Sequence, residues 1–166
     1  MSQQKLDSGR GPDMHIRTNF PRTAEDKLLS QYWEAQGGRL HVEVPIGGQG
    51  GEGRWPKGCR RRRIDGVRFV GLPRNLTFHS EFNSASTRDD LAKSDAEGIE
   101  IIDVKRKLDR LVMGQVLVAQ DMFERQYGVR PAKLPVVCGG TDPGLEWVCK
   151  EKRGISVWCA PSFPSR

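Results

Sequence analysis

The sequence predicts a mixed α/β fold, in which one β-sheet carries helices on both faces. Alternating polarity over 40–46 indicates a strand, and a second strand is expected over about 62–70, which gives an antiparallel pair near the start of the chain. Two strand–helix–strand units follow between residues 99 and 158, and such units place their strands parallel. Together the two kinds of connection predict a mixed sheet with crossover helices.

The first predicted helix follows Thr23, whose hydroxyl can cap the helix N-terminus. Acidic residues occupy its first turn, and Gly37–Gly38 ends it. Four apolar residues at helical spacing form its expected buried face: Leu28, Leu29, Tyr32 and Trp33. The strand 40–46 comes next, and the glycine-rich loop 47–53 separates it from the second strand.

The middle of the chain contains an irregular segment and then two strongly patterned ones. Residues 71–98 show no firm period and are interpreted as an insertion, with a short helix at 87–94. The β-rich run Ile99–Lys105 predicts a central strand, and 108–127 predicts a long amphipathic helix that Gly128 ends. The expected buried stripe of that helix is Val112, Val116, Ala119, Phe123 and Tyr127. The tail predicts a strand at 134–138, a helix at 142–152 and a strand at 155–158.

The length of 166 residues suits one domain with its own core. We expect a flexible segment over 1–20 and a single domain over 21–166. No run approaches 18 apolar residues, and the N-terminus lacks the apolar stretch of a secretory signal. These observations predict a cytoplasmic protein with no membrane partner.

The positive charge is concentrated in one short stretch. The net charge is +6, which favours a polyanionic partner without indicating a fold. Residues 54–63 contain no acid, and the basic residues there are Arg54, Lys57, Arg60, Arg61, Arg62 and Arg63. The stretch is either a solvated basic loop or a surface for phosphates. Trp55 lies within it and can stack on an unpaired base.

Polar residues interrupt two of the predicted strands. Asp103 and Lys105 are two positions apart, so both side chains leave the same face of an otherwise apolar strand. Burying a carboxylate and an ammonium is costly unless they pair with each other or bind a metal. Asp65 interrupts the strand before them, with Gly66 beside it. Two converging carboxylates are typical ligands of Mg²⁺, although an ion pair at a sheet edge also explains Asp103 and Lys105.

With these residues in place, the sequence resembles the PD-(D/E)xK nuclease superfamily. The first matching motif lies in 62–67, around Asp65, and the second is Ile102–Lys105. Ile64 stands where the motif that names the family has proline. Gln115 lies where several branches, such as the VRR-NUC and Holliday-junction-resolvase-like ones, have a glutamine on the following helix.

The resemblance implies a restriction-endonuclease-like fold, with αβββαβ order and a further strand. It also implies a metal-dependent endonuclease that hydrolyses DNA, in which Asp65 and Asp103 bind Mg²⁺ or Mn²⁺. Lys105 is expected to activate the attacking water and Gln115 to orient it. The basic stretch, with Trp55, is expected to hold DNA, and a homodimer is possible. A non-catalytic nucleic-acid-binding module and a nuclease-fold subunit of a defence or mobile-element complex remain the alternatives.

An acid on the first helix often completes the metal site in this family, and periodicity selects between two candidates. Glu25 shares the helix face of Leu28 and Leu29, whereas Glu34 lies about half a turn away from that face. Glu25 is therefore the expected third ligand, although a first-turn acid also stabilises the helix dipole. Glu100 is an odd number of positions from Asp103 and should face away from it.

Two further groups of residues are given structural roles. The segment His79–Asn83 has no metal-ligand spacing and is expected to be a loop or a lid that contacts DNA. The four cysteines contain no C-x₂-C pair, which argues against a zinc site. Cys138 and Cys159 end apolar strands, where small buried thiols are common.

Overall fold

The sheet of this protein has six strands, with helices packed on both of its faces. The computed structural model describes residues 20–48, 53–79 and 84–161. Its elements, in chain order, are α1 (Ala24–Gln36), β1 (Arg39–Gly47), β2 (Arg61–Phe69), β3 (Asn75–Phe78), α2 (Ala85–Leu91), a 3₁₀ turn (Ala96–Gly98), β4 (Ile99–Lys105), α3 (Arg110–Tyr127), β5 (Leu134–Cys138), α4 (Pro143–Arg153) and β6 (Ile155–Cys159).

The strands lie in the order β3-β1-β2-β4-β5-β6. The central strand β2 is antiparallel to both β1 and β4, whereas the β1–β3, β4–β5 and β5–β6 pairs are parallel. The predicted mixed α/β sheet is therefore confirmed. Without β3, α2 and α4, the order α1-β1-β2-β4-α3-β5, followed by β6, is the αβββαβ order with a further strand.

The two faces of the sheet bury separate apolar clusters. On one face α1 contributes Leu28 and Leu29, which pack against Ile102 of β4. On the other face the long helix α3 packs its apolar stripe against the sheet together with α4. The predicted stripe of α3 is correct except at Ala119, which is half-buried, while Gln120 is buried and donates to the Pro131 carbonyl at 2.7 Å.

A buried ion pair fastens α1 to the sheet. The Arg68 guanidinium donates to both carboxylate oxygens of Glu100, at 2.7 and 2.8 Å, and the Tyr32 hydroxyl donates to the same carboxylate. Arg68 also donates to carbonyls at the C-terminal end of α1. Thr23 caps the other end in a capping box with Asp26, as expected. These contacts determine where the N-terminal turn of α1, with Glu25, lies.

The segment 71–98 contains more regular structure than the sequence predicts. The predicted short helix is present as α2. The sequence does not predict β3, because a strand of four residues at the sheet edge is too short for its alternation to be detected. His79 follows β3 and is buried, with its Nε2 at 3.0 Å from Nδ1 of His41. His41 in turn contacts Asp90 of α2 at 2.8 Å. His79 therefore holds α2 against β1, which is a structural role, and contact of the segment with DNA stays a prediction.

Several expectations concern residues outside the described ranges. Glu81 and Asn83 are among them, and so is the segment 1–20 except Phe20. Within the described residues, no helix combines the length and hydrophobicity that a membrane span requires.

Candidate functional site

The candidate site lies where β2 and β4 separate. Their antiparallel pairs run from Phe69 and Ile99 to Gly66 and Ile102, and the ladder ends there. The next positions in the same register are Asp65 and Asp103, which therefore stand opposite each other. Beyond this point β4 pairs with β5 instead. The two acids thus lie where the hydrogen bonds between β2 and β4 end. There the Val104 N–H donates to their side chains instead of to a backbone carbonyl of β2.

Both carboxylates accept a hydrogen bond from the backbone N–H of Val104. Asp65 Oδ2 lies 2.8 Å from this nitrogen, and Asp103 Oδ1 lies 3.1 Å from it. The two carboxyl groups are also within hydrogen-bonding range of each other. A single N–H cannot neutralise two negative charges, so the arrangement favours either a shared proton or a bound cation.

The pKa values of both acids reflect this crowding. Burial, followed by the neighbouring Asp103 carboxyl, raises the pKa of Asp65 to about 7. Burial also raises the pKa of Asp103, although the hydrogen bond with Asp65 and the charge of Lys105 act in the opposite direction. Two half-buried acids whose ionised forms are unfavourable together are typical of functional sites.

Lys105 and Glu25 lie beside the acid pair. Lys105 follows Asp103 on the same face of β4, and its Nζ is 4.0 Å from Glu25 Oε1. Glu25 is 46% exposed, and its negative charge contributes to the raised pKa of Asp103. Among the described residues, no group of three or more His, Cys, Asp and Glu side chains is arranged to hold a metal ion. Glu25 is thus close to the pair without completing a three-acid set.

A cleft of about 460 Å³ opens over the acid pair. Its floor contains Asp65, Asp103 and Lys105, and α3 supplies one wall. The residues that α3 contributes are Arg110, Leu111, Gly114, Gln115, Val118, Ala119 and Met122. Gln115 is exposed on this wall, so the structure places it at the cleft, as the sequence suggested. The cleft has the size of a small-molecule or nucleotide site.

Positively charged side chains border the cleft on two sides. Arg62 and Arg63 of β2 line it next to the acids, and Arg110 lines it from the first turn of α3. Arg63 is already engaged, because it donates to the His79 carbonyl at 2.6 Å and lies 3.7 Å from Glu43. Arg62, on β2, and Arg110, on α3, are both exposed and both line the cleft, so both can approach an anion above the acid pair.

The rest of the basic stretch is exposed along the approach to β2. Arg54, Lys57, Arg60 and Arg61 are all exposed. Trp55 is different, because it is half-buried and its indole N–H lies 3.3 Å from Gln126 Oε1.

Arg125 covers the Trp55 ring, with its guanidinium carbon 5.0 Å from the ring centroid. Trp55 therefore anchors the basic loop to the end of α3. Its predicted stacking on a base stays a prediction.

The structure adds two residues that the sequence did not single out. Arg110 follows the N-cap Asp109, and only the packing of α3 over the sheet places it at the cleft. Glu43 occupies the β1 position opposite Asp65 and has a positive φ of 61°. It lines a second cleft of about 410 Å³ with Glu25 and Asp65. A glutamate in an alternating strand carries no sequence signal for such a backbone conformation.

Glu100 and Glu34 lie where periodicity placed them. Glu100 faces away from Asp103, towards α1, where Arg68 neutralises it. Glu34 is exposed. Neither acid contributes to the site.

Comparison with known proteins adds little at this distance. No protein-family model and no curated protein matches the chain. Among solved structures, the chain is similar to the crystal structure of a repair endonuclease from Pyrococcus abyssi, with 14% sequence identity and a TM-score of 0.46. The alignment covers 86% of this chain and 49% of that one, so the chain spans about half of that protein's length. A similarity this distant carries no argument about activity.

Proposed function

We propose that this protein is a metal-dependent nuclease that hydrolyses phosphodiester bonds in DNA. The observation that carries the proposal is the meeting of Asp65 and Asp103 at one backbone N–H, with Lys105 beside them at the floor of a basic cleft. The resemblance of these motifs to the PD-(D/E)xK nucleases supports the same assignment.

The donor set fits a hard divalent cation. Asp65 and Asp103 supply carboxylate oxygens on adjacent strands, and burial makes their joint ionisation unfavourable without a positive charge. They would hold Mg²⁺ or Mn²⁺, with Glu25 contributing directly or through water. When bound, the cation supplies Lewis-acid polarisation of the phosphate and lowers the pKa of a bound water.

Lys105 is the residue best placed to handle the attacking water. Its side chain is 30% exposed and lines the cleft beside the acids. There it can donate a hydrogen bond to a water molecule or stabilise the negative charge that develops on the phosphorane. Gln115, on the α3 wall, would orient that water or the Lys105 side chain.

The cations around the cleft would hold the DNA backbone. Arg62 lines the cleft from β2 and Arg110 lines it from α3, so they would contact phosphates near the scissile bond. The exposed Arg54, Lys57 and Arg60 extend this surface along the chain leading to β2. Such contacts bind phosphates without selecting a base sequence, and they weaken as salt increases.

Plasmid nicking with matched variants tests the proposal. With Mg²⁺ present, we expect Asp103→Ala and Lys105→Ala to lose cleavage by at least about 100-fold, the scale of one electrostatic contribution to a transition state. Asp89→Ala and Lys107→Ala remove the same charges at exposed positions outside the cleft and should cleave at the wild-type rate.

Two other outcomes would replace the proposal. Salt-sensitive DNA binding that survives Asp103→Ala and gains nothing from Mg²⁺ would indicate a non-catalytic binding module. Cleavage that appears only after a second protein is added would indicate a subunit of a larger complex. Equal cleavage by all four variants would show that the nuclease activity does not belong to this site.

A further inference from the structure

The cysteine pair at the end of β5 and β6 carries an inference that is independent of the proposed nuclease. Cys138 and Cys159 are direct partners in the parallel register of these two strands. Side chains at paired positions leave the same face of a sheet, and neighbouring strands lie about 4.8 Å apart. That separation falls within the Cα–Cα range of disulfide bonds, about 4.4–6.8 Å.

The two thiols lie on neighbouring strands at paired positions but differ in their exposure. Their proximity also affects the pKa of Cys138, which the neighbouring Cys159 thiol helps to raise. Cys138 is completely buried, whereas Cys159 is exposed because β6 is an edge strand. The expectation that both are buried thiols is therefore wrong for Cys159, which solvent and small oxidants can reach.

We propose that Cys138 and Cys159 form an intramolecular disulfide when the protein meets a peroxide. The exposed Cys159 thiolate attacks one oxygen of hydrogen peroxide, which gives a sulfenic acid and releases hydroxide. The Cys138 sulfur then attacks the Cys159 sulfur, the S–O bond breaks, and water leaves with the Cys138 proton. Overall two thiols lose two electrons and two protons, and one peroxide becomes two waters.

The second step, in which Cys138 attacks the Cys159 sulfenic acid, is slow but can proceed. Burial, followed by the neighbouring Cys159, raises the pKa of Cys138 to about 12, so little of this thiol is ionised at neutral pH. Its position opposite Cys159 on the neighbouring strand offsets this, because the attacking sulfur needs no long movement to reach the Cys159 sulfur.

The bond would form beside the candidate site. Cys138 also pairs in register with Lys105 on its other side, so the three residues form one row across β4, β5 and β6. A disulfide would therefore fix the edge strand β6 to the strand next to the one that carries Lys105.

Peptide mapping of the oxidised chain tests the proposal. The full-length protein is treated with hydrogen peroxide, alkylated after denaturation and digested without reductant. We expect two of the four thiols to resist alkylation and the intact mass to fall by about 2 Da, with a cross-linked peptide pair containing Cys138 and Cys159. Dithiothreitol should reverse all three changes.

Two single variants make the result specific. Cys159→Ser changes an exposed position and should abolish the cross-link, whereas Cys59→Ser should leave it unchanged. The proposal is overturned if Cys159 gains oxygen atoms while Cys138 remains open to alkylation. It is equally overturned if the cross-link joins two chains or survives in Cys159→Ser.

Discussion

Replacing Asp65 by Asn should stabilise the folded protein at pH 8 in the absence of divalent metal. Asn keeps the size of the side chain and the oxygen that accepts from the Val104 N–H. It removes the ionised form that burial and Asp103 make unfavourable. The buried pair of acids thus carries a cost in stability that a neutral residue avoids.

The magnitude follows from the pKa of Asp65. Its rise from 3.8 to about 7 corresponds to about 4 kcal/mol of differential stability between the protonated and ionised forms. Because the folded-state pKa is the higher one, the stabilisation is complete below pH 3.8 and is lost as the pH rises through 7. The Asn variant should therefore gain up to about 4 kcal/mol over wild type at pH 8 and little at pH 4.

Urea unfolding in EDTA at a series of pH values measures this difference. Asp89→Asn, at an exposed position, is the control and should show no such dependence on pH. Adding Mg²⁺ at pH 8 should stabilise wild type more than Asp65→Asn, because the variant lacks one of the two carboxylates proposed as metal ligands. An Asp65→Asn variant that is no more stable than wild type at pH 8 in EDTA would contradict this prediction.

Three further substitutions test the structure around the site. Glu100→Gln should destabilise the fold by about 3–5 kcal/mol in urea unfolding, because it leaves Arg68 buried and charged without its partner. Arg62→Ala should weaken DNA binding at every sequence and reduce the slope of log affinity against log salt by about 0.9, whereas Arg153→Ala, outside the cleft, should not. Thr23→Ala should lower the unfolding free energy by about 1 kcal/mol, since it removes the side-chain cap of α1.

Asp103 and Lys105 are recognisable in the sequence because they are charged residues in a strand that is otherwise apolar. A strand of Ile and Val that also contains Asp103 and Lys105 has a polar pair on one face, and strand alternation alone reveals this. The same alternation placed Glu100 on the opposite face. Local patterns were therefore sufficient to identify which side chains lack an apolar environment.

The meeting of Asp65 with Asp103 could not be predicted in the same way. It depends on the register of β2 against β4, and a long segment with its own strand and helix separates the two in sequence. Nothing local determines which residues of two distant strands stand opposite each other. The resemblance to the nuclease motifs suggested the pair, and the end of the ladder at Gly66 explains it physically.

The contacts between buried polar side chains are the feature that the sequence predicts least well. Arg68 and Glu100 look like ordinary solvent-facing residues in alternating strands, yet both are nearly inaccessible in the fold. His41 and His79 likewise meet only because β3 returns beside β1. Such pairs arise from tertiary packing, which periodicity does not encode.

The most direct measurement of the central claim is the cleavage of labelled DNA by the wild-type protein, with and without divalent metal. Duplex, single-stranded and branched substrates are incubated with Mg²⁺, with Mn²⁺ and with EDTA. A nuclease that uses Asp65 and Asp103 as metal ligands should cut at least one substrate in Mg²⁺ or Mn²⁺ and none in EDTA. Cleavage that is equal in EDTA, or absent from all three substrates in both metals, would contradict the account.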